Sequence, residues 1–268
     1  MRRTDYLSMS MATDTWDPRQ YDKFLRQREQ PFFDLLALIH PHEGMRVVDL
    51  GCGTGKLTRT LHDRLQARDT LGRDRSARML DEARSGPLPH GLRFEIGTIE
   101  SFDGTGYDLV FSNAAFHWVE DHEALVRRLT NALAPGGQLA FQVPAQHDGL
   151  SHLIADELAR VEPFRTAFDG WHRAQPVLRP EAYSRLLYES GLEDPIVRLI
   201  VYPHVLASRA EVVEWMKGTL LTEYARRLPA DLFERFVEEY RTRLLANLND
   251  SRPFFFPFKR ILVWGQRA

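Results

Sequence analysis

The chain has 268 residues and a mass of 31.0 kDa, and its 35 Lys+Arg against 37 Asp+Glu give a formal net charge of -2. That balance contains no basic block of the kind a nucleic-acid partner needs, no apolar run approaches the roughly 18 residues that span a bilayer, and the start "MRRTDYLSMSMATD" has no apolar h-region. The one cysteine, Cys52, excludes an intrachain disulfide and a multi-cysteine metal centre, so the expectation is a cytoplasmic protein without a bound metal and without a membrane partner.

Residues 1–15 read as a flexible N-terminal extension, and from Trp16 the composition becomes that of folded protein. "MRVVDL" (Met45 to Leu50) is a short β-branched apolar run, as expected for a strand buried on both faces. Leu57, Leu61 and Leu65 follow at helical spacing, so strand, glycine turn and helix succeed one another. Further strands are predicted at Asp69 to Asp74, Leu92 to Gly97, Tyr107 to Asn113 and Gln138 to Pro144, with helices at Ser76 to Arg84 and His122 to Leu133. Such alternation implies crossover connections and a parallel sheet covered by helices. After Pro144 the rhythm changes: helices are expected at Leu150 to Val161, Pro180 to Ser190, Ala210 to Tyr224 and Pro229 to Leu248, and strands at Pro195 to Leu206 and Phe258 to Gln266. Two late strands between long helices suggest an antiparallel addition at the sheet edge and a helical lid, with Pro253 and Pro257 at the entry to an edge strand. One domain is expected over residues 16–268: a cap (16–40), a cofactor-binding core (41–146), and substrate-side helices with the last two strands (147–268).

The turn in "VVDLGCGTGKLT" carries the chemistry. In an open α/β sheet, ligands sit outside the carboxyl ends of the strands, and glycines there let a ligand touch the backbone. A phosphate-binding P-loop needs Gly-x-x-x-x-Gly-Lys-[Ser/Thr], but Leu50 stands in place of its first glycine and Leu57 in place of its hydroxyl. A dinucleotide fingerprint needs a third glycine where this chain has Lys56. What remains is Asp-x-Gly-x-Gly-x-Gly, carried by Asp49, Gly51, Gly53 and Gly55.

This set resembles motif I of the class I S-adenosylmethionine-dependent methyltransferases. "YDLVFSNAAFHWVEDHEALVRRLTNALAPGGQLAFQVP" looks like the fourth strand, helix and fifth strand of the same superfamily. Within it the pattern is similar to the trans-aconitate methyltransferase group: Trp16, Pro18, Tyr21 and Phe24 match its N-terminal Trp-x-Pro-x-x-Tyr-x-x-Phe segment, and "SNAAFHW" and "QVP" its later segments. The resemblance implies a doubly wound, mostly parallel seven-stranded α/β sheet of the Rossmann-like methyltransferase fold, with an antiparallel edge strand and a helical lid. It also implies S-adenosyl-L-methionine as cofactor, S-adenosyl-L-homocysteine as product, an N-terminal segment that closes over the cofactor, and a small-molecule methyl acceptor. A monomer is expected.

The cofactor residues so assigned are Asp49, Gly51, Cys52, Gly53 and Gly55 of motif I, then Asp74, Arg75 and Met79, Thr98 and Ile99, and Asn113 and Ala114. Asp74 ends the second strand, where its carboxylate suits two ribose hydroxyls; it is alternatively a cap for the helix after it. Three positions depart from the group: Thr98 for an Asp, His117-Trp118 for a Gln-Trp, and "MKGTLLTEYARRLP" for a Gly-Leu-Arg-Pro run after Trp215. A carboxylate acceptor is ionised at neutral pH and needs no base, whereas an amine, phenol or carbon acid would make His117 the candidate general base; His117 is alternatively structural. Tyr21, Arg28, His117, Trp118, Trp171, Trp215 and Lys217 are the substrate-side candidates, with core packing the alternative for the tryptophans. The expected activity is O-methylation of a carboxylate such as a trans-aconitate-like acid. N-, C- or other O-methylation, a nicotinamide-dependent oxidoreductase, and a non-catalytic S-adenosylmethionine-binding protein are the alternatives.

Overall fold

The computed structural model describes residues 25–268. Helix α1 (Leu25–Leu36) leads into an alternating series: β1 (Arg46–Leu50), α2 (Lys56–Leu65), β2 (Asp69–Asp74), α3 (Ala77–Ala83), β3 (Leu92–Ile96) and β4 (Tyr107–Asn113). A short 3-10 turn (Phe116–Trp118), α4 (His122–Ala132) and β5 (Leu133–Pro144) follow. The sheet has seven strands in the order β3-β2-β1-β4-β5-β7-β6. Strands β1 to β5 are parallel, and the order reverses between β1 and β4, which creates the crevice where open α/β sheets bind ligands.

The local sequence explains each element. Strand β1 is almost wholly buried: Val47, Val48 and Leu50 supply the apolar run of a strand covered on both faces, with Asp49 buried among them. Helix α2 turns Thr58, Leu61, His62 and Leu65 inward. Ser76 is the N-cap of α3, its hydroxyl accepting from the Met79 amide at 3.2 Å, and Asp121 caps α4 through the Ala124 amide at 2.9 Å. In β5 the Pro135-Gly136-Gly137 turn produces a bulge: the register passes from Tyr107 opposite Leu133 to Leu109 opposite Gln138.

The later part consists of α5 (Leu150–Leu158), α6 (Phe164–Ala167), α7 (Pro180–Glu189), β6 (Leu192–Leu206), α8 (Ala210–Lys217), α9 (Leu221–Ala225), α10 (Ala230–Asn247) and β7 (Phe254–Arg267). The expected single helix over Ala210 to Tyr224 is two, because Gly218 ends α8. The last strand begins at Phe254, earlier than expected. Phe254, Phe256 and Phe258 alternate inward while Phe255 is exposed, which is the two-residue period of a strand. The antiparallel addition lies at the expected edge, but β7 is its inner strand, antiparallel to both neighbours, and β6 is outermost. Pro257 is tolerated because β5 pairs with β7 only from Arg260 onward, leaving the strand one partner at Pro257.

One face of the sheet packs against α4 and α7 through Val110, Leu129, Phe141, Leu187 and Val263. The other packs Phe32 and Leu35 of α1 and Leu61 of α2 over Leu109, Phe111 and Trp264. A separate apolar cluster joins α5, α6 and α8 to α10 with the start of β7. Gln138, 1% exposed, clamps the chain entering β1: its side chain accepts from the His40 amide at 2.9 Å and from the Trp264 indole at 2.9 Å, and donates to the His40 carbonyl at 2.7 Å. Gln138→Ala leaves the buried Trp264 indole N–H without its acceptor and frees the backbone of exposed His40, and denaturant unfolding is expected to show a loss of roughly 1 to 3 kcal/mol. A loss below about 0.5 kcal/mol, the scatter of neutral surface changes, would show that the clamp contributes little.

Candidate active site

The backbone after β1 folds back on β2. The Gly51 and Cys52 amides donate to the Arg73 carbonyl at 2.8 and 3.1 Å, and the Gly55 amide donates to the Cys52 carbonyl at 3.1 Å. The carboxylate of Asp74 ties this turn to the next helix, accepting from the Gly53 amide at 2.8 Å and the Ser76 amide at 2.9 Å. Ser76, not Asp74, therefore caps α3, and Asp74 anchors the turn at the mouth of the crevice. Gly53 and Gly55 differ in what surrounds them. At Gly55, with φ 72°, a Cβ would fall 2.6 Å from Phe94 and 2.8 Å from Ala83, so packing and handedness both demand glycine. At Gly53, with φ 56°, a Cβ would meet nothing within 4 Å: it would stand in the open crevice.

Beneath the turn, Asp49 is 3% exposed. Its Oδ2 accepts from the Thr58 hydroxyl at 2.6 Å, while Oδ1 is buried without a partner among the described residues. Burial drives the Asp49 carboxyl up from 3.8 to about 7, against the Thr58 hydrogen bond and with a smaller push from Asp74. Burial raises the neighbouring Cys52 thiol far above its ordinary range, so it is an inert packing group.

Across the crevice, Ala114 after β4 takes φ 55°, a strained value for a residue with a Cβ. Its amide donates to the Gln142 carbonyl at 3.0 Å. The Gln142 amide donates to Asn113 Oδ1 at 2.7 Å and its Oε1 accepts from Arg260 at 3.0 Å, so one chain of hydrogen bonds runs from the end of β4 to β7. Arg260 is 4% exposed and lies 5.2 Å from the centre of the Phe258 ring.

The 3-10 turn is fixed from below. His122 Nε2 lies 3.0 Å from the Phe116 carbonyl, so it carries the proton and donates, which leaves Nδ1 to accept from the Tyr183 hydroxyl. His117 sits on this turn with its Nδ1 buried and without a partner among the described residues. Burial, then the charges of Arg260, His122 and His152, push His117 down from 6.5 to about 3. His152 at the start of α5 is likewise pushed down to about 3, chiefly by burial and then by Arg173. Arg173 in turn is bound through two nitrogens to Asp156, at 3.0 and 2.7 Å.

This architecture has known counterparts. A family model described as a methyltransferase domain matches residues 21–194. The trans-aconitate 2-methyltransferase of Deinococcus radiodurans is 42% identical over 94% of this chain and 98% of its own length. The chain belongs to the methyltransferase domain family. A trans-aconitate 2-methyltransferase of Streptomyces avermitilis is 36% identical over 95% of this chain and 98% of its own. Among solved structures, the YcgJ protein of Bacillus subtilis superposes with a TM-score of 0.59 at 19% identity, covering 90% of this chain and 99% of that one. Phosphoethanolamine N-methyltransferase 2 of Haemonchus contortus, solved with S-adenosyl-L-methionine, gives 0.54 at 17% identity over 97% of this chain and 60% of that one, a likeness of fold alone.

In this methyltransferase Asp49, Gly51, Cys52, Gly53, Gly55, Asp74, Asn113 and Ala114 gather at the carboxyl ends of β1, β2 and β4. Ile99 reaches the same turn: its Cδ1 lies 3.8 Å from where a Gly51 Cβ would stand. Met79 is buried in α3 and Arg75 is exposed between Asp74 and Ser76. The Thr98 hydroxyl accepts from the Ser101 amide and donates to the Ser101 hydroxyl, both at 3.1 Å, within the loop after β3. Tyr21 and the side chain of Arg28 lie outside the described residues.

On the substrate side the expectations change. His117 is a neutral hydrogen-bonding group, since a base with its proton affinity set near 3 is ill-matched to neutral pH. Trp215 is 1% exposed, stacked 4.9 Å from His204 in the lid core, and Trp171 packs against Phe168 and Tyr224 beneath Arg227. Both serve packing in place of the expected acceptor contact. Lys217 forms a surface ion pair with Glu214 at 2.8 Å. Trp118 stacks beside His117 at 4.5 Å and lines a shallow hollow of about 360 Å³ with Glu100, Val119 and Arg128. Arg260, Gln142 and His152 escaped the sequence reading. An arginine set in the apolar run "RILVWG" was the signal for the first.

The residues present fit S-adenosylmethionine. The open face at Gly53 admits a ligand against the backbone, and the orphan Oδ1 of Asp49 can meet an ammonium group. Gly53→Ala should sharply weaken calorimetric binding of S-adenosylmethionine at a positive-φ cost of roughly 1 to 2 kcal/mol in stability while the circular dichroism spectrum stays that of a folded protein, whereas Gly55→Val should lose the fold itself; full-strength binding in a folded Gly53→Ala would overturn the cradle. A proton balance follows from Asp49. Folded-state Asp49 keeps its proton to about pH 7 and the unfolded chain loses it near 3.8, so this group's contribution to stability falls as pH rises through that window. An ammonium beside it favours the ionised form, so cofactor binding at about pH 6 should release a proton. The heat of binding should therefore vary with buffer ionisation enthalpy in wild type and not in Asp49→Asn.

Proposed function

We propose that this methyltransferase transfers a methyl group to a carboxylate oxygen of a small polycarboxylic acid of the trans-aconitate kind. The near full-length likeness to proteins named trans-aconitate 2-methyltransferase carries the reading, and the chemistry of the crevice supports it. Bound S-adenosylmethionine supplies a sulfonium-activated methyl group, so that an ionised carboxylate oxygen can displace the sulfur and no proton need move.

The chain's own residues suit that economy. The glycine turn and Asp74 place the cofactor at the switch point. Neutral His117 offers hydrogen bonding without basicity, and Arg260 stands opposite Pro144 at the carboxyl end of β5. Holding two reactants in line is the larger part of such a catalyst's task, worth up to roughly 7 to 11 kcal/mol. A small acceptor, not a nucleic acid, matches a chain with a net charge of -2.

Incubation with methyl-labelled S-adenosylmethionine and a panel of di- and tricarboxylic acids is expected to give a base-labile methyl ester. The turnover number should stay level from about pH 6 to 9, because the nucleophile is already ionised and His117 is already neutral. A rise through a single ionisation near neutrality, or turnover confined to amines or phenols, would overturn the reading.

A further inference from the structure

The amide of a glutamine or asparagine can be turned either way, but a chain of amides that ends on an arginine cannot. Gln142, wholly buried on β5, lies between Arg260 of β7 and Asn113 at the end of β4, its partner in the β4–β5 register. A guanidinium only donates, so Gln142 Oε1 faces Arg260 Nη1, at 3.0 Å, whatever else the guanidinium touches. Gln142 Nε2 is thereby turned to β4, where it donates at 2.7 Å, and the Asn113 atom that receives it has to be Oδ1. The Asn113 Nδ2 group is left over: it has no partner among the described residues, and Asn113 is partly exposed. The end of β4 is a wall of the crevice, since the strand order reverses there next to β1 and a Cβ on Gly51 would collide with Ala115.

We propose that Asn113 Nδ2 donates to an oxygen of the methyl acceptor, and that the Arg260–Gln142–Asn113 relay, by fixing this polarity, selects a carboxylate over an amine. The proposal rests on the carboxylate-methylating function above. A carboxylate oxygen can accept from Nδ2 through one lone pair and attack the methyl group with another, and the second oxygen of the group stays available. A neutral amine has one lone pair: held by a donor it cannot attack, and turned to attack it offers N–H groups to an N–H wall. The bond to a charged oxygen is also the stronger kind. Gln142 and Arg260 are positioning residues, which decide which end of the Asn113 amide meets the acceptor.

The test reverses the polarity without breaking the relay. In Gln142→Glu both carboxylate oxygens accept, so Arg260 keeps its partner, while Asn113 has to donate to the new side chain and turns Oδ1 outward. Trans-aconitate is titrated into the protein saturated with S-adenosylhomocysteine, a pairing that binds without turnover. Wild type should bind. Gln142→Glu should weaken trans-aconitate at least about tenfold, the size expected for a lost hydrogen bond to a charged group, with S-adenosylhomocysteine affinity within about threefold of wild type. Gln142→Met leaves Asn113 able to present either end and should weaken trans-aconitate less than Gln142→Glu does. A role in stability alone gives the reverse order, because the glutamate keeps the buried bonds and the methionine loses them. Should Gln142→Glu not fold, Asn113→Asp keeps an acceptor for Gln142 and puts a second oxygen where Nδ2 stood, and the same loss is expected. Unaltered trans-aconitate affinity in the folded variants, or a milder effect in Gln142→Glu than in Gln142→Met, overturns the proposal and leaves the methylating function standing. An equal loss of S-adenosylhomocysteine affinity assigns the donor to the cofactor and overturns it too. A wild-type complex that binds no polycarboxylate and methylates a different acceptor overturns both.

Discussion

The site depends on a backbone turn that no side chain could replace. Five residues after β1 reverse direction under two constraints: hydrogen bonds to the Arg73 carbonyl from one side and the Asp74 carboxylate from the other. Because Asp74 also holds the first amide of the α3 segment, strand, turn and helix form one rigid unit. The open face at Gly53 is the product of that rigidity: the chain is fixed in place while the space beside it remains empty of protein.

The opposite wall is arranged on the same logic with different materials. His122, locked between Tyr183 and the Phe116 carbonyl, sets the 3-10 turn, and the turn sets His117. The Gln142 amide spans Asn113 and Arg260, so a residue from the fifth strand aligns groups from the fourth and seventh. Burial suppresses charge at His117 and His152 and favours the neutral form of Asp49, while Arg260 keeps its charge under the same conditions. The result is a crevice that combines fixed positive charge with neutral hydrogen-bonding groups.

The cofactor side was legible in the sequence because its constraints are local. An acid, three glycines and a helix start lie within a dozen residues, and each has one physical reason to be there. Strand β1 and the alternation up to β5 were equally plain, since continuous apolar runs and helical spacing contrast sharply. The opposite wall was not legible in the same way. Gln142 and Arg260 are far apart in the chain and hydrogen-bond only because β7 inserts next to β5, a pairing that leaves no periodic trace. Trp171, Trp215 and Lys217 drew attention as large or charged residues, but aromatic rings fill a lid core as readily as they line a pocket.

The insertion of β7 has a consequence for how the molecule comes into being. The strand lies between β5 and β6 yet follows both in the chain. As the polypeptide leaves the ribosome, β1 to β5 can pair with one another as they appear, but β6 has no place in the sheet until β7 has been made. Its apolar residues therefore wait exposed while α8 to α10 are synthesised, a period in which a long unpaired strand invites misassembly. The half of the sheet that carries the glycine turn can form early; the edge that β6 and β7 complete is finished among the last steps of folding.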